Sequence, residues 1–146
     1  MRADPITAVF SSPYRRALET VQPIASLHAL PVRSIHDLRE RRLSASPLAE
    51  PAFLEALQRC RENPAFALPG GESTNEVRLR ALRALEKIRR DTPSGIAVAG
   101  THGGLVSILR WHLGEEFTIE EALAEPMPAI YPFRWDSDGW NIDRRG

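Results

Sequence analysis

Gly95-Ile96-Ala97-Val98-Ala99-Gly100-Thr101-His102-Gly103-Gly104-Leu105 decides how the rest of the chain is read. Small and β-branched apolar residues run into a polar histidine, then two glycines, then a new apolar stretch. That order predicts a buried parallel strand, a tight turn and a helix N-terminus. Gly103 and Gly104 are expected to let the backbone turn sharply and to leave helix N–H groups uncovered for an anion. His102 then falls at the carboxyl end of the strand, where open α/β sheets place their ligands. Taken alone, His102 is equally well read as a polar residue filling a turn.

Working outward, Ser73-Thr74-Asn75-Glu76 has capping-box spacing and opens a long helix with Val77, Ala81, Leu85 and Ile88 inward. Arg78, Arg80, Arg83, Arg89 and Arg90 decorate that helix, and most of them are expected to form a solvated face. Asp91 to Gly95 stops it and delivers the chain to the strand. Beyond the turn, a helix from Leu105 to about Leu113 closes the unit. Ala129–Trp135 and Trp140–Ile142 predict a hairpin joined by Asp136-Ser137-Asp138-Gly139. Near the start, Ile6-Thr7-Ala8-Val9-Phe10 predicts a short strand. Ser11-Ser12-Pro13 follows it as a serine N-cap with proline in the first helical turn. The next helix carries Ala17, Val21, Ile24 and Leu27 on one side, with Pro23 inside it. Pro31–Ile35 reads as a second strand, and 36–51 as a charged loop crossing the top of the sheet. Phe53, Leu54, Leu57 and Cys60 give a further short helix, and Asn63–Gly71 a linker. Alternating strands and helices predict an α/β fold, three-layer α/β/α with a mostly parallel sheet, in one domain over residues 1–146.

Composition narrows the function. The chain has 146 residues, 42% of them apolar, and equal numbers of acidic and basic residues, for a formal net charge of zero. That argues against a nucleic-acid or anionic-membrane binder that works by bulk charge. Cys60 is the only cysteine, so neither a disulfide framework nor a cysteine metal site is expected. Met1-Arg2-Ala3-Asp4-Pro5 leads into no signal-peptide apolar region, and no apolar run is long enough to span a bilayer. A cytoplasmic setting is the resulting expectation. No metal is expected, because acidic residues and histidines lack ligand spacing and Asp136-Ser137-Asp138 reads as a turn.

Two strand-to-helix turns face one sheet edge if their strands are parallel: Ser11-Ser12-Pro13-Tyr14-Arg15-Arg16 and Thr101-His102-Gly103-Gly104. The planar fork of Arg16 suits a phosphate or carboxylate, and His102 adds a donor. Glu40, between arginines, is either a proton donor with a raised pKa or half of a surface ion pair. The same glycine turn also fits a nucleotide-binding module. It lacks the Gly-x-Gly-x-x-Gly pattern and the loop lysine that such modules use.

Four stretches, in order, resemble the histidine phosphatase superfamily, which includes the cofactor-dependent phosphoglycerate mutases. Phe10-Ser11-Ser12-Pro13-Tyr14-Arg15-Arg16-Ala17-Leu18-Glu19-Thr20 is similar to its Ser-Ser-x-x-x-Arg-Ala-x-x-Thr segment. Asp37-Leu38-Arg39-Glu40-Arg41 is similar to its Leu-x-Glu segment, and Pro69-Gly70-Gly71-Glu72-Ser73 to its Gly-Gly-Glu-Ser turn. Val98–Gly104 is similar to the strand and His-Gly turn that carry the second active-site histidine. The resemblance implies that Arg16 clamps phosphate and that His102 stabilises the transferring phosphoryl group. It makes Glu40 the general acid, and it places Ser12 and Gly103 at the bound phosphate. It implies a small phosphorylated substrate or inorganic phosphate as partner, and no cofactor. The short substrate-covering segment suits a broad phosphatase more than a mutase.

The family's Arg-His-Gly turn, whose histidine attacks phosphorus, does not occur here. The four histidines are His28, His36, His102 and His112. A phosphohistidine route needs that nucleophile. The resemblance therefore predicts an N-terminally incomplete chain that lacks the family's first strand and helix. Such a chain is expected to be impaired as a phosphatase, or to act as a pseudophosphatase that binds a phosphorylated ligand. Loss of a central strand would leave unpaired edges, and with them low stability or a homodimer that covers the gap.

Overall fold

A computed structural model describes residues 4–143. The opening Met1-Arg2-Ala3, read above as free of a leader segment, lies outside the described residues. In chain order the elements are β1 (Ile6–Ser11), α1 (Arg15–Leu27), β2 (Val32–Ser34) and a 3-10 turn (His36–Leu38). Then come α2 (Ala52–Glu62), α3 (Thr74–Asp91), β3 (Ile96–Gly100), α4 (Gly103–His112), α5 (Ile119–Ala124), β4 (Phe133–Asp136) and β5 (Gly139–Ile142). The contacts fall into two compact units, Met1–Glu40 with Arg80–Leu105 and Arg41–Leu79 with Val106–Gly146.

The first unit holds a parallel three-stranded sheet in the order β2-β1-β3. The two-residue period of β1 sorts its side chains onto two faces. Ala8 and Phe10 pack with Ile35, Leu38, Ala84, Ile88 and Ala97, which puts α3 on that face. Val9 packs with Val21, Ala25, Ile24, Leu30, Val32 and Val98, which puts α1 on the other. The three expected layers are therefore present in this unit. Phe10 is fully buried, a contribution of about 1.5–3 kcal/mol from its apolar surface.

Several details differ from the sequence reading. Leu27, expected inward, is 80% exposed, and Ala25 takes its place in the apolar face of α1. Helix α1 starts only at Arg15, with Tyr14 at its N-cap and no side-chain cap bond, because Ser12 is engaged elsewhere. Strand β3, expected to be buried, pairs only with β1 among the described residues, and Ile96 and Ala99 are exposed. Pro23 does lie inside α1. At Gly100 a Cβ would lie 2.9 Å from the Ala17 carbonyl oxygen and from Val21 Cγ1, so glycine is what lets α1 approach β3.

In the second unit the Ser73 hydroxyl accepts from the Glu76 N–H at 3.1 Å, and the Thr74 hydroxyl donates to the Cys60 carbonyl at 2.8 Å. Glu72 ties down the strip after Glu40: its carboxylate accepts from Arg42 N–H at 2.8 Å, and its own N–H donates to the Arg42 carbonyl at 2.6 Å. Helix α5 was not anticipated, although Thr118-Ile119-Glu120-Glu121 is a capping box and forms one. The hairpin is present as β4 and β5, with Trp135 opposite Trp140 and their rings edge to face. Arg110 bonds Glu115 at 2.8 Å and Glu125 at 2.9 Å and lies over the Phe117 ring, a half-buried ionic cluster.

Candidate active site

The site lies in the first unit, at the carboxyl ends of β1 and β3. Ser11 and Gly100 are register partners, and the Ser12 N–H donates to the Gly100 carbonyl at 2.9 Å. This parallel pairing sets the two predicted turns side by side. Ser12 Oγ and His102 Nε2 share a 2.7 Å hydrogen bond, and both residues are buried. The Tyr14 N–H reaches the same hydroxyl at 3.3 Å, and the Tyr14 ring stands edge-on to the imidazole with centroids 5.1 Å apart. A serine hydroxyl on an imidazole nitrogen has the look of a nucleophile–base pair. Ser12 has no exposed surface, and its hydroxyl is bonded to the His102 ring.

Burial holds the His102 imidazole below the usual histidine pKa. The Glu40 carboxylate opposes that shift, and the Arg16 and Arg80 charges add to it. A bound anion would restore the attraction for a proton that these cations remove. Arg16 is exposed in the first turn of α1, while its neighbour Arg15 pairs with Glu19 at 2.7 Å.

Glu40 overturns one expectation. Its Oε2 accepts from the Gly104 N–H at 3.1 Å and its Oε1 from the Leu105 N–H at 3.2 Å. Helix α4 begins at Gly103, and the anion at its N-terminus is the chain's own carboxylate. The helix N–H groups expected to be uncovered are thus taken at Gly104 and Leu105. Nor is Glu40 half of a surface ion pair only, since both its oxygens serve this helix. Gly103 is exposed, and a Cβ there would meet nothing within 4 Å.

Arg80 overturns another. It is one of the five arginines most of which were expected on a solvated face, yet it is 2% exposed. The signal was present in the sequence: Arg80 stands three residues after Val77 and four before Ala84, on the inward stripe. The other sites fall apart from this cluster. His36 is exposed at the start of the 3-10 turn, His28 caps the end of α1, and His112 ends α4.

The family model of the histidine phosphatase superfamily (branch 1) matches residues 1–146. The chain belongs to that superfamily. Among solved structures, this chain is similar to mycobacterial glucosyl-3-phosphoglycerate phosphatase at 24% identity and a TM-score of 0.67, over 94% of this chain and 76% of that one. YhfR of Bacillus stearothermophilus matches at 20% identity and a TM-score of 0.68, over 94% and 72%. The alpha-ribazole phosphatase of Shigella flexneri matches at 16% and 0.66, over 95% and 72%. Such identities carry the fold. The mycobacterial phosphatase has also been solved with inorganic phosphate and with VO3. No curated protein matches the chain. Among the described residues no helix is long and apolar enough to cross a membrane.

Proposed function

We propose that this member of the histidine phosphatase superfamily is a phosphohydrolase for small phosphomonoesters, working through a phosphohistidine in a form that includes the nucleophile. Arg16 and His102 hold the phosphoryl group, with Ser12 orienting His102 and Gly103 lining the turn. Glu40 gives up the N-terminus of α4, takes up a proton from solvent, and then passes it to the leaving oxygen. Phosphoryl transfer is chiefly positioning and charge stabilisation, which suits an arginine and a histidine around one phosphate. The observation that carries this reading is the 2.7 Å Ser12–His102 bond, which joins the two predicted phosphate turns at one end of a parallel sheet.

The 146 residues contain no Arg-His-Gly. On their own they are expected to bind phosphate with little or no turnover. The same inventory favours a second reading, a pseudophosphatase that holds a phosphorylated ligand or partner without hydrolysing it. The two readings differ in whether any natural form turns over.

Hydrolysis of p-nitrophenyl phosphate by the 146-residue chain, beside His102→Ala and Arg16→Ala, tests the proposal. The expected result is negligible turnover, with inorganic phosphate protecting the parent against unfolding more than it protects either variant. Equal protection of all three would remove the phosphate site. Turnover lost in both variants would mean that another group attacks phosphorus, and His36→Ala would be the next variant to assay.

A further inference from the structure

A buried guanidinium has to satisfy its donors within the protein. Three of the Arg80 bonds go to backbone carbonyls. Its Nη1 donates to the Asp37 and Arg39 carbonyls, each at 2.8 Å, and its Nη2 to the Glu40 carbonyl at 3.2 Å. One side chain thus gathers three carbonyls from the four residues that lead to Glu40. The same strip is held from the other side, where the Thr101 hydroxyl donates to the Leu38 carbonyl at 2.7 Å. Leu38 is itself buried against Phe10 and Ile88. At the end of this anchored strip, the Glu40 carboxylate meets the first turn of α4 beside His102.

We infer that Arg80 is a positioning residue for the phosphoryl site. Its fork sets the path of Asp37–Glu40, so that the Glu40 carboxylate reaches the Gly104 and Leu105 N–H groups. The fork geometry is the point. A lysine would keep the charge but could not present spread, coplanar donors to carbonyls on different residues. The Arg80 Nη2 bond to the Glu40 carbonyl holds the backbone at the residue whose carboxylate caps α4. The inference rests on the phosphatase reading for what Glu40 does, and on the geometry alone for what Arg80 does to Glu40.

The test uses the whole isotope-labelled chain and follows amide exchange at Gly104 and Leu105 in Glu40→Ala, Arg80→Lys and the double variant. Glu40→Ala is expected to lower protection of these two amides by about tenfold, as loss of a charged acceptor should. Arg80→Lys should reproduce that loss while Phe10 and Val21 amides stay protected, and the double variant should be no worse than either single one. Arg80→Gln is the second variant if lysine does not fold. Undiminished protection in Arg80→Lys, or losses that multiply in the double variant, would overturn the inference. So would failure of both Arg80 variants to fold, which would make Arg80 a folding residue. Inorganic phosphate titrated in parallel keeps the two readings apart. Failure of the parent to bind it would sink the phosphatase reading and leave the amide result standing.

Discussion

Replacing Glu40 by alanine should move stability and phosphate affinity in opposite directions. The carboxylate accepts from two first-turn N–H groups of α4, at 3.1 and 3.2 Å. Losing such a cap costs about 0.5–2 kcal/mol, and losing a charge at a helix N-terminus about 0.3–1 kcal/mol more. A net loss of about 1–2 kcal/mol is expected, since water replaces part of the interaction at this half-buried site. For a chain of this length that corresponds to a fall in Tm of roughly 2–8 °C. Phosphate, in contrast, would no longer compete with a resident carboxylate for the same donors, nor meet its negative charge. If displacing Glu40 costs about what Glu40 contributes, affinity for inorganic phosphate rises by about 5–30-fold. Thermal unfolding gives the first quantity and calorimetric titration with inorganic phosphate the second. In a form that turns over, the same substitution should lower kcat, by about 100-fold or more if Glu40 is the acid. A stability change below about 0.5 kcal/mol would refute the capping role. Unchanged or weaker phosphate binding would refute the competition.

Two further outcomes are expected. Gly100→Ala should destabilise by about 1–3 kcal/mol in chemical unfolding, because its Cβ would press on the α1 backbone at Ala17. Gly103→Ala, with open space around it, should stay within about 0.5 kcal/mol of the parent, and equal effects would contradict the packing described. The lowered His102 pKa means that the unfolded state binds the proton more readily than the folded one. Stability contributed by neutral His102 is therefore present above the unfolded value of about 6.5 and is lost as pH falls through the folded value. His102→Gln should flatten this acid limb, and parallel pH–stability curves would contradict it.

Much of this architecture was legible in the chain. The strand–turn–helix run around His102, the start of α3 at Ser73 and the terminal hairpin follow from patterns within a dozen neighbouring residues. Period-two and period-3.6 spacing, capping residues and turn residues act over that range. The Arg80 stripe and the Thr118 capping box were legible too, but one carries a charge and the other opens a short helix. Serine before α1 misled for a different reason. A hydroxyl that can cap a helix can also bond a histidine 90 residues away, and in Ser12 the histidine wins.

The sequence by itself determined most of the strands and helices, and it set the Ser12 and His102 turns at one sheet edge on the condition that their strands run parallel. It did so because backbone preference and side-chain periodicity are local. Only the tertiary structure decided which carbonyls Arg80 meets, that Glu40 occupies the first turn of α4, and that β3 stands at the edge of its sheet among the described residues. Those outcomes depend on partners 40 to 90 positions apart in the chain. Burial and hydrogen bonding set the cost of each charge there, and neither exists until the chain has closed on itself.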